Sequence, residues 1–453
     1  MLPDEINKVK LSFLLVILII FLLFFFIIPN LRQNSSQEDS YIFIFSINSL
    51  TKNHLPCYGY HRNTTPNICN LKKDGILFRN AIVQSTHTPT SFPSFITSTS
   101  PLKNKIYTRW KILDDSFVTI GEIFRQNGYS SVFSSDDGHF YEKNIIQGFE
   151  FVEPQKSVFK DEVDTNDKLL FLDYHRKPHA PYEPPMECRN IYNKDNKIYD
   201  KEFEYLTPAN GTINLTKKHR KDLINLYDEE IKCADSRFGE YVDILKDIGI
   251  YNESFIIIFS DHGQLFGEHG RYFHGGTPFE ELINVPLIMK FPNNKYSGKT
   301  VKDVVRLIDI LPTLADFYDM DFDADGTSIL PILEGHELGL EAYTLFNYFL
   351  TETHSLRTDD YKIIVEYTKH SREKKTSFFK IKNGEDIEIH YPRKKAELEE
   401  KLDRKLLGVE AFPMLGPVIR NGTIKECSKN PEVQPKLCYD LKGMNETISE
   451  LIK

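Results

Sequence analysis

Residues Ile256–His274 read Ile-Ile-Ile-Phe-Ser-Asp-His-Gly, then Gln-Leu-Phe, Gly-Glu-His-Gly and Arg-Tyr-Phe-His. A short apolar, β-branched run bounded by turn residues predicts a strand buried on both faces, as in a parallel sheet. Asp261 and His262 then fall at its C-terminal end, where open α/β sheets build their sites. A carboxylate and an imidazole leaving one strand end together can share a divalent cation. Taken alone, Asp-His-Gly is more often a turn in which Asp261 caps a helix or hydrogen-bonds the backbone; the flanking sequence reverses that preference.

The rest of the chain follows the same grammar. Apolar runs at 41–47, 76–78, 129–134, 168–172 and 254–259 alternate with amphipathic stretches, among them Phe117–Asn127 and the long Lys217–Gly249. A further helix is expected from Thr90 to Thr99, with Pro93 in its first turn. Tyr361–Glu366 and Phe378–Lys382 read as paired strands of a smaller C-terminal sheet. This pattern predicts an α/β fold: a mostly parallel central sheet sandwiched by helices, with a small C-terminal antiparallel subdomain. At 453 residues and 40% hydrophobic composition the chain can bury a large core. Its net charge of −9, with no basic stripe, argues against nucleic acid as a partner.

The N-terminal region bears on compartment. Leu11–Ile28 is apolar except for Ser12 and as a helix would span about 27 Å. Lys8 and Lys10 precede it, which favours a cytoplasmic N-terminus. The competing reading is a cleaved signal peptide, but Ile28-Pro29-Asn30-Leu31 offers no small-residue cleavage site. The expected organisation is a cytoplasmic segment 1–10, a transmembrane anchor 11–28, a polar tether 29–40, a catalytic domain 41–340, a C-terminal subdomain 341–406, and a Cys-containing tail 407–453 without an assigned role. The protein is thus expected to be single-pass in a membrane, held there by its N-terminal helix, with the catalytic domain extracytoplasmic. Six cysteines without a Cys-x-x-Cys pair fit disulfides better than zinc. Cys427–Cys438 is the leading bridge, then Cys57–Cys69 and Cys188–Cys233. Asn-x-Ser/Thr triplets occur at Asn34, Asn63, Asn210, Asn214, Asn252, Asn421 and Asn445.

From residue 41 to 406 the chain resembles the sulfatase branch of the alkaline phosphatase superfamily. The resemblance rests on Ser260–Gly263, Gly267–Gly270, His274, Glu280-Glu281 and Val285–Ile288. Upstream it includes Tyr41–Phe45, Ser49-Leu50, His54-Leu55, Cys57–Tyr60, Thr64–Asn67, Thr97, His179–Tyr182 and Tyr227-Asp228. Arg306–Asp309 and Pro312-Thr313 complete it. It implies a metal-dependent hydrolase or transferase acting on sulfate or phosphate esters of an extracellular glycan or lipid headgroup. The metal set carried over by position is Asn48, Thr88, Asp261 and His262. The catalytic set is Thr88 as nucleophile, with His179 and His274 contacting the ester oxygens or the leaving group. Glu268 and His269 read as turn structure, and His175 as a substrate contact.

Three positions depart from the family pattern. Asn48 stands where relatives carry a carboxylate, and it offers one neutral oxygen. Both a weakened metal site and a dead one fit that change. Formylglycine enzymes carry Cys-x-Pro-x-Arg where this chain has Thr88-Pro89-Thr90-Ser91-Phe92, so formylglycine chemistry is excluded. A metal-bound Thr hydroxyl at a helix N-terminus can still attack phosphorus or sulfur; otherwise Thr88 or Ser91 caps the helix. Asn104 stands about where relatives place a His. A nitrogen ligand favours zinc or manganese as the single divalent ion, with calcium the third choice. The alternative to an enzyme is a catalytically silent relative that binds an anionic glycan or lipid headgroup.

Overall fold

A computed structural model describes residues 40–407, apart from short gaps at 109–110, 136, 138–139, 141–143, 193–214, 348–350, 369–372 and 383, and a few residues between 419 and 424. The expected anchor 11–28, the tether and the Cys427–Cys438 bridge lie outside the described residues. So do the acceptors Asn34, Asn210, Asn214, Asn421 and Asn445, whereas Asn63 and Asn252 are exposed. Among the described residues no helix is long and apolar enough to cross a membrane.

The opening strand explains the architecture. β1 (Ser40–Ile47) is buried along nearly its whole length. Ile42 and Ile44 join the apolar cluster on one face of the sheet, while Tyr41, Phe43 and Phe45 join the cluster on the other. Period-two alternation in an all-apolar run therefore feeds two cores at once, and helices must cover both faces. The other strands of this sheet are β2 (Ile76–Ile82), β3 (Ser130–Ser135), β4 (Glu150–Val152), β5 (Lys168–His175) and β6 (Phe255–Phe259). After a small hairpin of β7 (Leu265–Phe266) and β8 (Tyr272–Phe273) come β9 (Asn284–Lys290) and β10 (Thr300–Arg306). Their order is β10-β2-β9-β6-β1-β5-β3-β4. Every pairing is parallel except those of β9 with β2 and β6. Helices Thr88–Thr97, Ile120–Gln126 and Ile310–Phe317 pack on one face. Pro66–Leu71, Lys156–Thr165 and the 32-residue Lys217–Ile248 pack on the other.

Local chemistry sets the boundaries. The Ile120–Gln126 helix starts where Thr119 and Glu122 form a reciprocal capping box. The Lys217–Ile248 helix is capped by the Thr216 side chain and closes on left-handed Gly249. One boundary differs from expectation. The helix expected over 90–99 runs Thr88–Thr97, which moves Pro93 from the first turn into the second. The residue four positions earlier is itself Pro89, in the first turn.

The C-terminal part is an antiparallel meander of β11 (Ala342–Asn347), β12 (Thr351–Arg357), β13 (Tyr361–Thr368), β14 (Lys374–Lys382) and β15 (Glu385–Glu388). Leu398 and Leu402 of helix Pro392–Leu406 pack on Leu345, Leu356 and Ile363. This sheet is joined to the main body by buried charges. Glu280 lies 3.2 Å from both Arg357 and Lys362, and Lys362 is 2.8 Å from Asp386. Burial works to raise the Glu280 pKa, yet Arg357, Lys362 and Lys52 hold it well below the usual range. Disulfides join Cys57 to Cys69 and Cys188 to Cys233. The second ties the Met186–Cys188 turn to the long helix.

Candidate active site

Four strand ends and one helix start supply the site. β1 leads into Asn48-Ser49, β5 ends at Tyr174-His175, and β6 leads into Ser260-Asp261-His262. β2 leads through residues 83–87 to Thr88 at the start of its helix.

The Asp-His-Gly turn is shaped by a close backbone approach. The Gly263 N–H donates to the Leu282 carbonyl at 2.8 Å. A Cβ on Gly263 would lie 1.9 Å from the Glu281 carbonyl oxygen, so only glycine fits. The Gly263 carbonyl in turn lies 3.0 Å from His262 Nδ1. A carbonyl only accepts, so that nitrogen carries the proton and Nε2 keeps its lone pair. His262 Nε2 is 3.2 Å from Thr88 Oγ1. The Thr88 hydroxyl is therefore directed at His262, and the helix has no side-chain cap. The capping alternative does not describe Thr88.

Asp261 and His262 are fully buried. Asp261 Oδ1 accepts from the His262 and Ser49 backbone N–H groups, at 3.1 Å and 3.4 Å. Asp261 Oδ2 has no hydrogen-bond partner and lies 3.9 Å from His262 Nε2. Ser49, at φ 60°, links the two strands, because its hydroxyl also donates to Asn48 Oδ1 at 2.8 Å. Ser260 Oγ accepts from Leu50 N–H, and Tyr227 OH donates to the Ser49 carbonyl and accepts from Thr51 N–H. Asn48 is thus connected to Asp261 through Ser49, within a turn fixed on both sides.

A divalent cation fits these residues. An orphaned buried carboxylate oxygen, an imidazole lone pair and a hydroxyl meet there, and an isolated buried carboxylate is costly without a counter-charge. Asp261, His262 and Thr88 would hold it, with Asn48 a neutral fourth candidate.

His179 and His274 form the outer wall. The rings of His262 and His274 stack at 4.5 Å, and those of His274 and His179 meet edge-on at 4.6 Å. His179 Nδ1 is 2.6 Å from the Ala180 carbonyl, and His274 Nδ1 is 3.1 Å from Gln264 Oε1. Both therefore also present Nε2. Burial, then His262, pushes the His179 pKa down to about 4. Burial, then His262, His179 and His87, pushes His274 well below its usual value. Both rings are neutral at pH 7.

Gln264 and Tyr174 were not singled out from the sequence. Gln264 donates to Tyr182 OH at 2.5 Å, which turns its oxygen toward His274. Its position two residues after His262 is the one signal that could have marked it. The positions expected to be weaker fall elsewhere. His175 is turned away, with both ring nitrogens unpartnered, beside a small cavity lined by Ser46 and Arg237. His269 stacks on Phe279 and meets Glu281 at 3.1 Å. His269, Glu281 and Asp386 bring ligand atoms within 4.8 Å of one another, but Asp386 is already paired with Lys362. Phe92 packs into an aromatic cluster with Phe95, Phe133 and Phe140, and Asn104 bonds Ser94 and Thr99 away from the site.

Comparison with known proteins gives the family and the fold. The family model described as Sulfatase matches residues 40–171 and 158–320. That of the N-sulphoglucosamine sulphohydrolase C-terminal region matches 267–411. Human iduronate 2-sulfatase is 22% identical over 384 residues, covering 62% of this chain and 69% of that protein. An ulvan-active sulfatase of Formosa agariphila is 24% identical over 296 residues, covering 63% of this chain and 56% of its own. Among solved structures, the phosphonate monoester hydrolase of Agrobacterium radiobacter superposes with a TM-score of 0.67 at 16% identity, over 82% of this chain and 95% of that one. A 2-O GAG sulfatase gives 0.65 at 17%, over 82% and 91%. At these identities the structures speak for the fold.

Proposed function

Because the chain belongs to the sulfatase family, whose members are sulfuric or phosphoric ester hydrolases, we propose that it is a divalent-metal-dependent ester hydrolase or headgroup transferase with Thr88 as nucleophile. The carrying observation is the 3.2 Å contact between Thr88 Oγ1 and His262 Nε2 beside the unpartnered Asp261 Oδ2. The nitrogen ligand makes zinc or manganese the favoured ion, ahead of calcium. When bound, such an ion would lower the pKa of the Thr88 hydroxyl and neutralise ester oxygens.

The chain's own residues do the rest. Thr88 sits in the first turn of a ten-residue helix, where backbone N–H groups favour the anion that forms as its proton leaves. Without an ion, His262 Nε2 holds that hydroxyl; with the ion bound, the same lone pair would go to it and Thr88 would stay beside it. His179 and His274 close the opposite side, where the ester oxygens or the departing group would lie. Without formylglycine, a sulfated Thr88 has no hydrate to collapse through, which favours phosphorus over sulfur esters. The substrate class is a sulfated or phosphorylated glycan or lipid headgroup outside the cytoplasm. The relatives named for glycosaminoglycan and ulvan sulfate support the glycan arm, and the phosphonate monoester hydrolase likeness supports the phosphorus arm. Residues 11–28 would anchor the protein in a membrane, a reading supported by their composition and by two disulfides.

The test is turnover of aryl sulfate and bis-aryl phosphate probes by metal-loaded protein and by Thr88→Ala. Metal-dependent hydrolysis lost in the variant supports the reading. Wild-type protein that binds metal and polyanion without turnover would instead establish the silent binding protein, which the neutral ligand Asn48 favours.

A further inference from the structure

Tyr174 is the buried polar group that the site's chemistry has not yet used. It is 1% exposed near the C-terminal end of β5, opposite Ser46 of β1 and Ser135 of β3. Its hydroxyl is out of water and makes no hydrogen bond of acceptable geometry. It nevertheless lies beside the Thr88 hydroxyl and close enough to Asp261 to feel its charge. Leaving a buried O–H unsatisfied costs about 1–3 kcal/mol, so such a group in a candidate site calls for an account.

The ring is placed by the helix that carries Thr88. Phe92, one helical turn after Thr88, meets Tyr174 edge-on at 5.2 Å and 84°. Phe140, itself 4.8 Å from Phe92, completes the cluster at 4.4 Å from Tyr174. One rigid helix therefore presents both the hydroxyl and the aromatic surface that aims the phenol at it. Phe92 occupies the position where formylglycine enzymes carry Arg, so this chain has exchanged a cation near the nucleophile for an aromatic prop.

We propose that Tyr174 is the positioning residue for Thr88, donating its hydroxyl hydrogen to Thr88 Oγ1. The inference rests on Thr88 being the nucleophile. The bonding is complementary: Thr88 gives its own hydrogen to His262 Nε2 while no ion takes that lone pair, and with or without the ion it keeps a lone pair to accept from Tyr174. As the Thr88 proton departs, that accepted hydrogen bond becomes charge-assisted and strengthens, so it favours the reactive state over the resting one. Phenylalanine at 174 keeps the ring packing and removes only the donor.

The experiment compares full-length wild type with Tyr174→Phe. Loss of one such donor typically lowers kcat about 10²-fold to 10³-fold. We expect a loss of that order with KM unchanged, a pH–rate profile whose Thr88-dependent limb moves to higher pH, and a thermal midpoint equal to or above wild type. Unchanged kcat, or a loss accompanied by a lower thermal midpoint and an unmoved pH profile, overturns the proposal. Should wild type turn nothing over, the hydrolase reading fails by itself, and a crystal structure of metal-soaked protein decides the role of Tyr174. A Tyr174 Oη to Thr88 Oγ distance within about 3 Å sustains it. A hydroxyl bonded to Asp261 or to water instead overturns it.

Discussion

Two clusters of charged and polar groups lie fully out of water, and they treat charge in opposite ways. At the junction with the C-terminal sheet, Glu280 is met by Arg357 and Lys362, and Lys362 by Asp386. At the β1 and β6 strand ends, Asp261 is equally buried, yet its Oδ2 faces no donor. Buried ion pairs are compensated by their partners. A buried carboxylate oxygen without one is where a cation from outside the chain would be favoured. The first cluster is therefore a joint between sheets, and the second is the candidate site.

Neutralising each carboxylate should break that contrast in opposite directions. Asp261→Asn removes a unit charge from the ion, worth about 4 kcal/mol at an effective dielectric of 20. Divalent-metal affinity by calorimetry should then fall about 10³-fold, while the metal-free protein becomes no less stable to urea. Glu280→Gln leaves Arg357 and Lys362 buried without their shared counter-charge. Its urea-derived stability should fall by about 3–5 kcal/mol, with metal affinity retained. Similar urea curves for the two variants would erase the distinction.

Asn48→Asp sharpens the comparison from the other side. Without metal, a second carboxylate would face Asp261 with no counter-charge between them, so the metal-free variant should be less stable and the metal-loaded one tighter. A gain of about 1.4 kcal/mol is tenfold in affinity. Activity should rise with it, and adding Thr88→Ala should remove the rise while leaving the metal bound. Metal titrations that coincide with wild type would place Asn48 outside the coordination sphere.

The smallest effect concerns pH. The buried His175 ring is pushed down to about 3 by burial first, then by Arg237 and Lys177. Its folded pKa lies below the unfolded value of about 6.5, so the unfolded chain binds the extra proton. The neutral ring's contribution is complete above about pH 6.5 and is lost as pH falls toward about 3. Stability measured across that window should decline less steeply in His175→Leu than in wild type. Parallel slopes would show that His175 is protonated in the native protein.

The strand-end site was readable because its residues come in short runs. Ser260–Gly263 announces a buried strand, a ligand pair and the one glycine that the Glu281 carbonyl tolerates. Asn48 and Thr88 follow from the family resemblance, since spacing alone marks neither as a ligand or nucleophile. Gln264 and Tyr174 were not legible, since a lone Gln after a motif and a Tyr in a strand resemble ordinary core residues until their partners are known. The junction was invisible for a different reason. Glu280 lies 77 residues from Arg357 and 82 from Lys362, and no local pattern connects them. The helix starting at Thr88 was placed two residues late because Pro93 was assigned to its first turn.

The three imidazoles have a consequence for the proton inventory of the reaction. His179, His262 and His274 each turn Nδ1 to a carbonyl-type oxygen of their own chain, which leaves Nε2 facing Thr88 in His262 and available in the other two. Burial, then His262, keeps His179 and His274 neutral at pH 7, so this wall offers acceptors to an arriving anion. On the proposed reading, an ester whose negative oxygens lay against His179 and His274 would bring their pKa values up and draw hydrogen ions in from solvent. Substrate and acid would then enter together, with the leaving group's proton loaded on binding.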